Sequence, residues 1–308
     1  MTAPTLDAIA AKLASGTTLD RADYLALSAT TDLVQLGMLA SDARRRRTGD
    51  DVTYVRVVEH KVGDPLPESW PATAGEIRLI GVPPTAEAAI AKAWAAVERA
   101  NGIPVTAWAL ADLVALAKDL DGLGTLARGL REAGVAGVAD VRLDLVEDPA
   151  VQWVVDAGLG VPVVGVHDAP ANPVVFLRRV ASLQKATRAF RAVAPLPRRV
   201  STEAPSTGYD DVKLIALAAL LVDGVGRVQV DWRQHGAKLS QVALLFGAND
   251  LDHVAPTDDA PLGPRRAPVE EVRRNILAAS LTPVARTARF DTVGAAGEAP
   301  TESAGSAG

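Results

Sequence analysis

The feature that most constrains the fold of this chain is a regular alternation of β-branched segments with helical segments between Val52 and Asp252. Strands are predicted at residues 52–58, 76–82, 104–108, 138–146, 162–166, 191–196 and 227–232. Strands that alternate with helices form right-handed βαβ units and a parallel sheet. No glycine-rich phosphate loop follows the first strand, which disfavours a dinucleotide-binding sheet. About seven such units predict an α/β fold, a partial (β/α) barrel of the TIM type.

Three segments are expected along the chain. Residues 1–48 have helical patterns, and we expect these helices to pack against a barrel formed by residues 49–293. Residues 294–308, GAAGEAPTESAGSAG, cannot form a core and are predicted to be disordered. Residues 60–75, HKVGDPLPESWPATAG, contain three prolines and leave no room for a crossover helix. The first βα unit is therefore predicted to be shortened to a loop.

The composition excludes several classes of function. The chain has no cysteine and only 4 histidines, so disulfides, a cysteine nucleophile and a metal site built on thiolates are excluded, and no metal site is predicted. Its net charge of −5 argues against nucleic acid or an anionic membrane as partner. No uncharged apolar segment approaches the roughly 18 residues of a membrane span, and the first residues do not resemble a signal peptide. We expect a cytoplasmic protein.

Residues 207–252, TGYDDVKLIALAALLVDGVGRVQVDWRQHGAKLSQVALLFGANDLD, resemble the radical S-adenosylmethionine enzymes of the futalosine route to menaquinone, above all aminofutalosine synthase. The cyclase of that route and the deazaflavin (FO) synthases are similar to a lesser degree. Shorter segments agree with the same family in order along the chain, at 36–60, 76–87, 165–173 and 194–199. The resemblance implies a radical-S-adenosylmethionine-like barrel with its site at the carboxyl ends of the strands, and a link with menaquinone biosynthesis.

Three departures from the pattern of this family concern its cofactors. The CxxxCxxC loop of the family should follow His60, where this chain has no cysteine. Thiolates hold the [4Fe–4S] cluster in that chemistry, and no residues replace them here. The Gly-Gly turn of the family is Gly81-Val82-Pro83-Pro84 here, and its Gly-Thr pair is His253-Val254. We therefore expect no cofactor: no cluster, no radical initiation, and the loss of a contact that S-adenosylmethionine needs.

Candidate catalytic residues are His167, Asp168 and Asp144, each predicted to lie at or just beyond the end of a strand. In an α/β barrel the chemistry is carried out at the carboxyl ends of the strands. A histidine beside a carboxylate can act as a general base or bind a ligand. Two structural interpretations stay open: His167 caps the next helix together with Asn172, and Asp144 forms only a strand end and turn with Glu147.

Candidate ligand-binding residues share a predicted position at the barrel mouth: His60, Trp108, His167, Arg198, Trp232, His235, Gln241, Asn249 and Asp250. A tryptophan there can stack on an aromatic ligand, and Arg198 can bind a carboxylate through two hydrogen bonds. Packing at the top of the barrel for Trp108 and surface exposure for Arg198 are the structural alternatives. Gly247 is expected to let the chain turn after a helix. Asn249 and Asp250 are then expected to close the barrel mouth, or only to end that helix.

Three hypotheses of function follow. The first is a barrel that no longer initiates radicals and acts as a binding or partner subunit, connected with menaquinone biosynthesis through a catalytic paralogue or working as a homo-oligomer. The second is a cofactor-independent enzyme that uses the barrel mouth for acid–base chemistry on an aromatic carboxylate or a nucleoside-like substrate, with His167 as base. The third is a sensor or carrier for the same kinds of ligand.

Overall fold

The computed structural model describes residues 4–199, 207–259 and 268–293. The segment predicted to be disordered, 294–308, lies outside the described residues. In the described part the elements follow in this order: α1 (Leu6–Ala14), α2 (Arg21–Ala29), α3 (Leu33–Thr48), β1 (Asp51–Lys61), β2 (Glu76–Ile80), α4 (Ala86–Arg99), β3 (Val105–Ala107), α5 (Leu110–Ala117), α6 (Leu120–Glu132), α7 (Asp148–Asp156), β4 (Val163–Gly165), α8 (Pro173–Thr187), β5 (Ala192–Ala194), α9 (Gly208–Leu221), β6 (Arg227–Asp231), α10 (Trp232–Leu245), β7 (Asp250–Val254), α11 (Pro268–Ala278) and β8 (Thr282–Ala285).

The strands pair in parallel in one sheet with the order β3-β2-β1-β7-β6-β5-β4. Strand β1 is long enough to pair with three others. It pairs with β8 along residues 51–54, with β7 from Thr53, and with β2 along residues 57–61. Helices surround this sheet, so the architecture is a parallel half-barrel, and the predicted (β/α) barrel class is confirmed.

The prediction of a regular strand at residues 138–146 is wrong. Residues 137–142 lie between the sheet edges β3 and β4 and make only isolated parallel bridges: Thr106 with Gly137, Ala109 with Asp140, and Arg142 with Gly165. The physical reason is that the backbone hydrogen bonds of this segment alternate between the β3 side and the β4 side. Gly137 O accepts from Ala107 N at 3.0 Å, whereas Val141 O accepts from Gly165 N at 2.8 Å. The segment never pairs with both neighbours along its full length.

The first βα unit is shortened as predicted. Residues 62–75, all of them described, form the connection from β1 to β2 without a helix. The N-terminal helices also pack on the barrel as predicted, with α3 lying against α9 and α10. Their starts follow from capping, because Asp20 and Asp32 accept hydrogen bonds from the first free backbone N–H groups of α2 and α3.

Apolar side chains fill the space between the sheet and the helices. Helix α9 is buried along nearly its whole length because it lies between α3, α8 and β6. The interior of the sheet is different, since charged and polar side chains project from alternate positions of the strands. Asp250 and Asp252 of β7 are both buried, and so are Glu76 and Arg78 of β2. These inward positions are where the candidate site lies.

Among the helices in the described part of the chain, each is too short or too polar to cross a lipid bilayer.

Candidate functional site

An ionic network crosses the strand ends of the half-barrel. Its central members are Glu59 of β1, Arg78 of β2, Asp231 of β6, and Asp252 and His253 of β7, and Glu76, Arg198 and Arg233 form ion pairs with them. The four strands are neighbours in the order β2-β1-β7-β6. Because the carboxyl ends of parallel strands meet at one edge, these side chains converge where the catalytic centre of an α/β barrel lies.

Arg78 is the centre of the network. Its Nη1 and Nη2 donate to the two carboxylate oxygens of Asp252 at 3.0 and 2.9 Å, and its Nε and Nη2 donate to those of Glu76 at 2.7 and 2.9 Å. Thr106 Oγ1 adds a hydrogen bond of 2.6 Å to Glu76. Although burial disfavours its charge, the two carboxylates hold the pKa of Arg78 well above its ordinary value. A guanidinium so enclosed is unavailable to an added ligand.

His253 adopts a left-handed backbone, with φ of 56°, a conformation that glycine adopts far more readily than histidine. The family that the sequence resembles has glycine at this position, which agrees with a left-handed backbone here. Its Nδ1 lies 2.6 Å from Asp231 Oδ2 and its Nε2 lies 3.1 Å from Glu59 Oε1. Strained backbone of this kind is found at functional sites more often than elsewhere.

The charge of the network balances when His253 is protonated. Its carboxylates are Glu59, Glu76, Asp231 and Asp252, and its guanidiniums are Arg78, Arg198 and Arg233. Burial disfavours the imidazolium and Arg78 Nη1 lies only 2.8 Å from Nε2, yet the Asp252 charge and the bonds to Asp231 and Glu59 raise the pKa of His253 above 6.5. The same bond from His253, with Arg233, lowers the pKa of Glu59 to about 2.

Little space remains among these side chains. The cavity that Arg142, Arg198, His235 and Asp252 help to line has a volume of about 20 Å³. Measured as the space open to the centre of a water molecule, this volume holds about one ordered water, which needs roughly 10–15 Å³, and is far too small for a substrate. The network therefore occupies the place where a substrate would lie in an open barrel.

Asp231, Asp252 and His253 bring one donor atom each within 4.8 Å of one another, which is close enough to surround a metal ion. Both carboxylates already accept N–H groups, Asp252 from Arg78 and Asp231 from Arg198. A divalent cation would have to displace both guanidiniums. The donor set fits a protonated histidine between carboxylates better than it fits a metal ion.

The residues after β1 do not fit an iron–sulfur cluster. His60 Nε2 lies 3.2 Å from the backbone oxygen of Asp64, and the His60 ring packs edge-on against Trp70 with centroids 5.4 Å apart. Burial lowers the pKa of His60. With no cysteine anywhere in the chain, no thiolate is available to hold iron. His60 belongs to the packing of the β1–β2 loop.

The structure brings His167, Asp168 and Asp144 together, through hydrogen bonds from backbone N–H groups to the Asp144 carboxylate. Asp144 accepts the backbone N–H of His167 at 2.7 Å and that of Asp168 at 2.9 Å. The Asp144 carboxylate thus holds the backbone of the loop after β4. Neither of these hydrogen bonds involves the His167 imidazole. Asp168 lies 3.8 Å from Arg199 in an exposed ion pair. A catalytic role for the three residues stays a prediction.

Five other predicted residues lie near the carboxyl ends of the strands or on α10. Trp108 is fully buried at the end of β3, with φ of 63° and an indole N–H that has no partner. Trp232 begins α10, His235 lines the small cavity, and burial lowers the pKa of that histidine. Gln241 is half-buried further along α10. Arg198, expected to bind a ligand carboxylate, is paired with Asp231 instead.

The expected location of Asn249 and Asp250 is wrong. These residues lie at the start of β7, at the opposite end of the sheet from the barrel mouth. Asn249 accepts from Val228 N at 2.8 Å, and Asp250 pairs with Arg286 at 2.6 Å. The reason is that a strand, β7, begins at Asp250, where the sequence pattern predicts only the end of a helix.

The sequence reading missed the residues of the network itself: Glu59, Glu76, Arg78, Asp231, Asp252 and His253. A signal was available. In a strand, alternate residues point to one face, and charged or polar residues stand two apart at 76 and 78, at 229 and 231, and at 250 and 252. Charges at that spacing in otherwise apolar strands indicate an ionic barrel interior.

The parallel half-barrel is similar in fold to solved enzyme structures. Methylornithine synthase superposes with a TM-score of 0.64 at 14% identity, covering 91% of this chain and 97% of that one. The FeFe-hydrogenase maturase HydG from Carboxydothermus hydrogenoformans gives a TM-score of 0.66 at 12% identity, with 92% of this chain and 81% of that one covered. At such identities these likenesses establish the fold alone.

Curated relatives match only part of the chain, and no family model matches it. The 5-amino-6-(D-ribitylamino)uracil–L-tyrosine 4-hydroxyphenyl transferase of Methanosphaerula palustris is 28% identical over 152 residues, 40% of this chain and 42% of that protein. Its namesake in Methanothermobacter thermautotrophicus is 30% identical over 34% of this chain and 33% of that protein. The cyclic dehypoxanthine futalosine synthase of Streptomyces coelicolor is 27% identical over 32% of this chain and 27% of that protein. The chain thus spans less than half the length of these relatives.

Proposed function

We propose that this chain is a radical-S-adenosylmethionine-like barrel that does not initiate radicals and acts as a partner subunit for a cysteine-containing paralogue. The observation that carries the proposal is the ionic network at the strand ends. Arg78, Asp252 and His253 fill that region and leave a cavity of about 20 Å³. Because such a barrel has neither thiolates nor room for a substrate, its outer surface is the part that can recognise a partner protein.

The alternative of an acid–base enzyme receives less support. It requires an open barrel mouth and a carboxylate that orients His167 through its side chain. Asp144 is engaged with two backbone N–H groups, and Asp231 and Asp252 are engaged with arginines. No further observation favours this enzyme over the partner subunit.

The pathway of the proposed pair is the futalosine route to menaquinone. The resemblance of residues 207–252 and the Streptomyces coelicolor relative support it. The transferases among the relatives act, by their names, on a ribitylaminouracil and tyrosine. The substrate of the paralogue is therefore either a futalosine or a ribitylaminouracil with tyrosine, and the measurement of menaquinone described below separates the two.

The partner role is tested by co-expressing the full chain with the cysteine-containing paralogue encoded in the same genome. We expect a complex of defined stoichiometry by size-exclusion chromatography with light scattering, and a higher rate of S-adenosylmethionine cleavage by the paralogue when the chain is present. The chain alone, with reductant and S-adenosylmethionine, serves as the control and should release no 5′-deoxyadenosine. Absence of a complex together with an unchanged paralogue rate would refute the partner role.

The pathway is tested separately by deleting the gene and measuring menaquinone in the cells. A loss of menaquinone that the intact gene restores supports the futalosine route. Unchanged menaquinone contradicts that route while leaving the complex with the paralogue to be judged by the first experiment.

A further inference from the structure

A second cavity opens at the amino ends of β5 and β6, at the opposite end of the sheet from the ionic network. It is a cleft of about 940 Å³. Arg178, Ser182 and Lys185 line it from α8, where their spacing places them on one helix face. Arg191, directly before β5, and Arg227, the first residue of β6, line it from the sheet. Its volume lies within the roughly 300–1,000 Å³ that is common for small-molecule sites.

The cleft carries an excess of positive charge. Its basic residues are Arg178, Lys185, Arg188, Arg191 and Arg227, and its one acidic residue is Asp223. Within the described part of the chain, the first four of these basic residues make no ion pair. The Arg178 guanidinium lies over the ring of Tyr24 at 5.4 Å from the centroid. Arg227 donates to the backbone oxygens of Asp51 and Asn249, at 3.1 and 3.3 Å, instead of to a carboxylate.

The deeply buried arginines of the chain, in contrast, are paired with carboxylates. Arg78 and Arg286 are each paired with buried aspartates through two hydrogen bonds. Arg227 is half-buried, and its desolvation lowers its pKa despite the attraction of Asp250. The basic side chains outnumber Asp223 by five to one, so the cleft has a positive potential that attracts an anion from solvent.

The loop that borders the cleft is held in place by a buried side chain. Gln184 Nε2 donates to the backbone oxygen of Gly224 at 2.7 Å and to that of Phe190 at 3.2 Å, and its Oε1 accepts from Phe190 N at 2.9 Å. Gly224 has φ of 79°, and a Cβ at Gly226 would meet no atom within 4 Å. The exposed glycine backbone is thus fixed by Gln184 and open to close approach by a ligand.

We propose that this cleft binds a small molecule that carries at least two phosphate groups. A phosphate group carries a charge of about −1.5 to −2 at neutral pH, so two of them balance the net charge of +4 that five basic side chains and Asp223 give the cleft. Guanidinium groups match phosphate oxygens through paired hydrogen bonds. The proposal is independent of the partner role, because the cleft lies at the other end of the sheet.

The test is calorimetric titration of the full chain with inorganic tripolyphosphate at low ionic strength, and in parallel with adenosine triphosphate. The variants are Arg178→Gln and Arg191→Gln, both exposed side chains whose loss leaves the core unchanged. The matched control is Arg128→Gln, an exposed arginine of α6 outside the cleft. Poly-glutamate of comparable charge is titrated as a competitor of a different class.

We expect saturable binding of at least one phosphate probe, weakened about tenfold or more by each cleft variant and unchanged by Arg128→Gln. Binding should also weaken as salt is raised. If adenosine triphosphate binds and tripolyphosphate does not, the nucleoside contributes to recognition and the proposal stands. Binding of neither probe, equal weakening by Arg128→Gln, or tighter binding of poly-glutamate than of both phosphate probes would overturn it.

Discussion

Arg78 and Asp252 face each other across the interior of the half-barrel through two hydrogen bonds of 2.9 and 3.0 Å, with both side chains buried. Arg286 and Asp250 repeat the arrangement nearer the start of β7, through two bonds of 2.6 Å. Because Asp250 and Asp252 are two residues apart on one strand, the pairs are stacked along the inner face of the sheet. These two buried ion pairs fill the interior of the half-barrel, which would be open in a barrel that binds a substrate there.

The first prediction concerns Arg78. Replacement by methionine leaves the buried carboxylates of Glu76 and Asp252 without their cation, which costs about 3–5 kcal/mol in the free energy of unfolding. Urea denaturation measures the loss. The control is Arg233→Gln, which removes a 61% exposed partner of Glu59 and should cost no more than about 1 kcal/mol. Equal effects of the two changes would show that the network is not buried as described.

The second prediction is a pH dependence caused by His253. Its raised pKa means that its stabilising contribution is complete below pH 6.5 and is lost as the pH rises through the folded-state pKa. Burial lowers the pKa of His60 and of His235, and these histidines act in the opposite direction. The comparison therefore uses the difference in unfolding free energy between the native chain and His253→Gln. That difference should be larger at about pH 5.5 than at about pH 8.5, and a difference that does not change with pH contradicts the protonated state.

The third prediction is a loss of stability at acid pH that is caused by the protonation of Glu59. Since His253 and Arg233 lower its pKa from 4.5 to about 2, its contribution is present above pH 4.5 and is lost as the pH falls towards 2. Glu59→Gln should flatten the acid limb of the stability profile between those values. An acid limb of unchanged slope in this variant would be incompatible with the proposed ion pair.

The fourth prediction compares three side chains in thermal and urea melts. Leu244 lies in the core and is 1% exposed, so Leu244→Ala should cost about 2–5 kcal/mol. Val242 lies on the same helix and is 42% exposed, and Val242→Ala should stay within about 0.5 kcal/mol. His167→Ala should stay within about 1 kcal/mol, because the bonds at this position come from its backbone. A loss for His167→Ala as large as that for Leu244→Ala would make this histidine a structural core residue.

The fifth prediction is that the purified chain remains colourless and free of stoichiometric iron after anaerobic reconstitution with iron and sulfide. The reason is the absence of cysteine thiolates. Absorption spectroscopy and metal analysis provide the measurement. Reconstitution of the complex with a cysteine-containing paralogue is the positive control, and stoichiometric iron in the chain alone would contradict the expectation.

The sequence predicted the regular elements well where their apolar pattern was strong. The strand predicted at 76–82 is β2 at Glu76–Ile80, and the turn expected at Gly247 has φ of 95°. Strand β7 was not predicted, because its acids alternate with apolar residues and the pattern is polar overall. His253 was missed for a related reason, since its side chain reaches the network only through a left-handed backbone that sequence patterns do not reveal.

The pairing of β1 with β8 sets an order of events in the synthesis of this chain. The first half of β1, residues 51–54, hydrogen-bonds to residues 282–285, far along the polypeptide. Until those residues have left the ribosome, that stretch of β1 lacks its partner on this side, although β7 already bonds to its other edge. Contacts between distant parts of a chain slow folding, and open strand edges favour association with other chains. The centre of the sheet is therefore its last part to be completed, and a nascent chain stopped before residue 282 leaves one edge of β1 open to other chains.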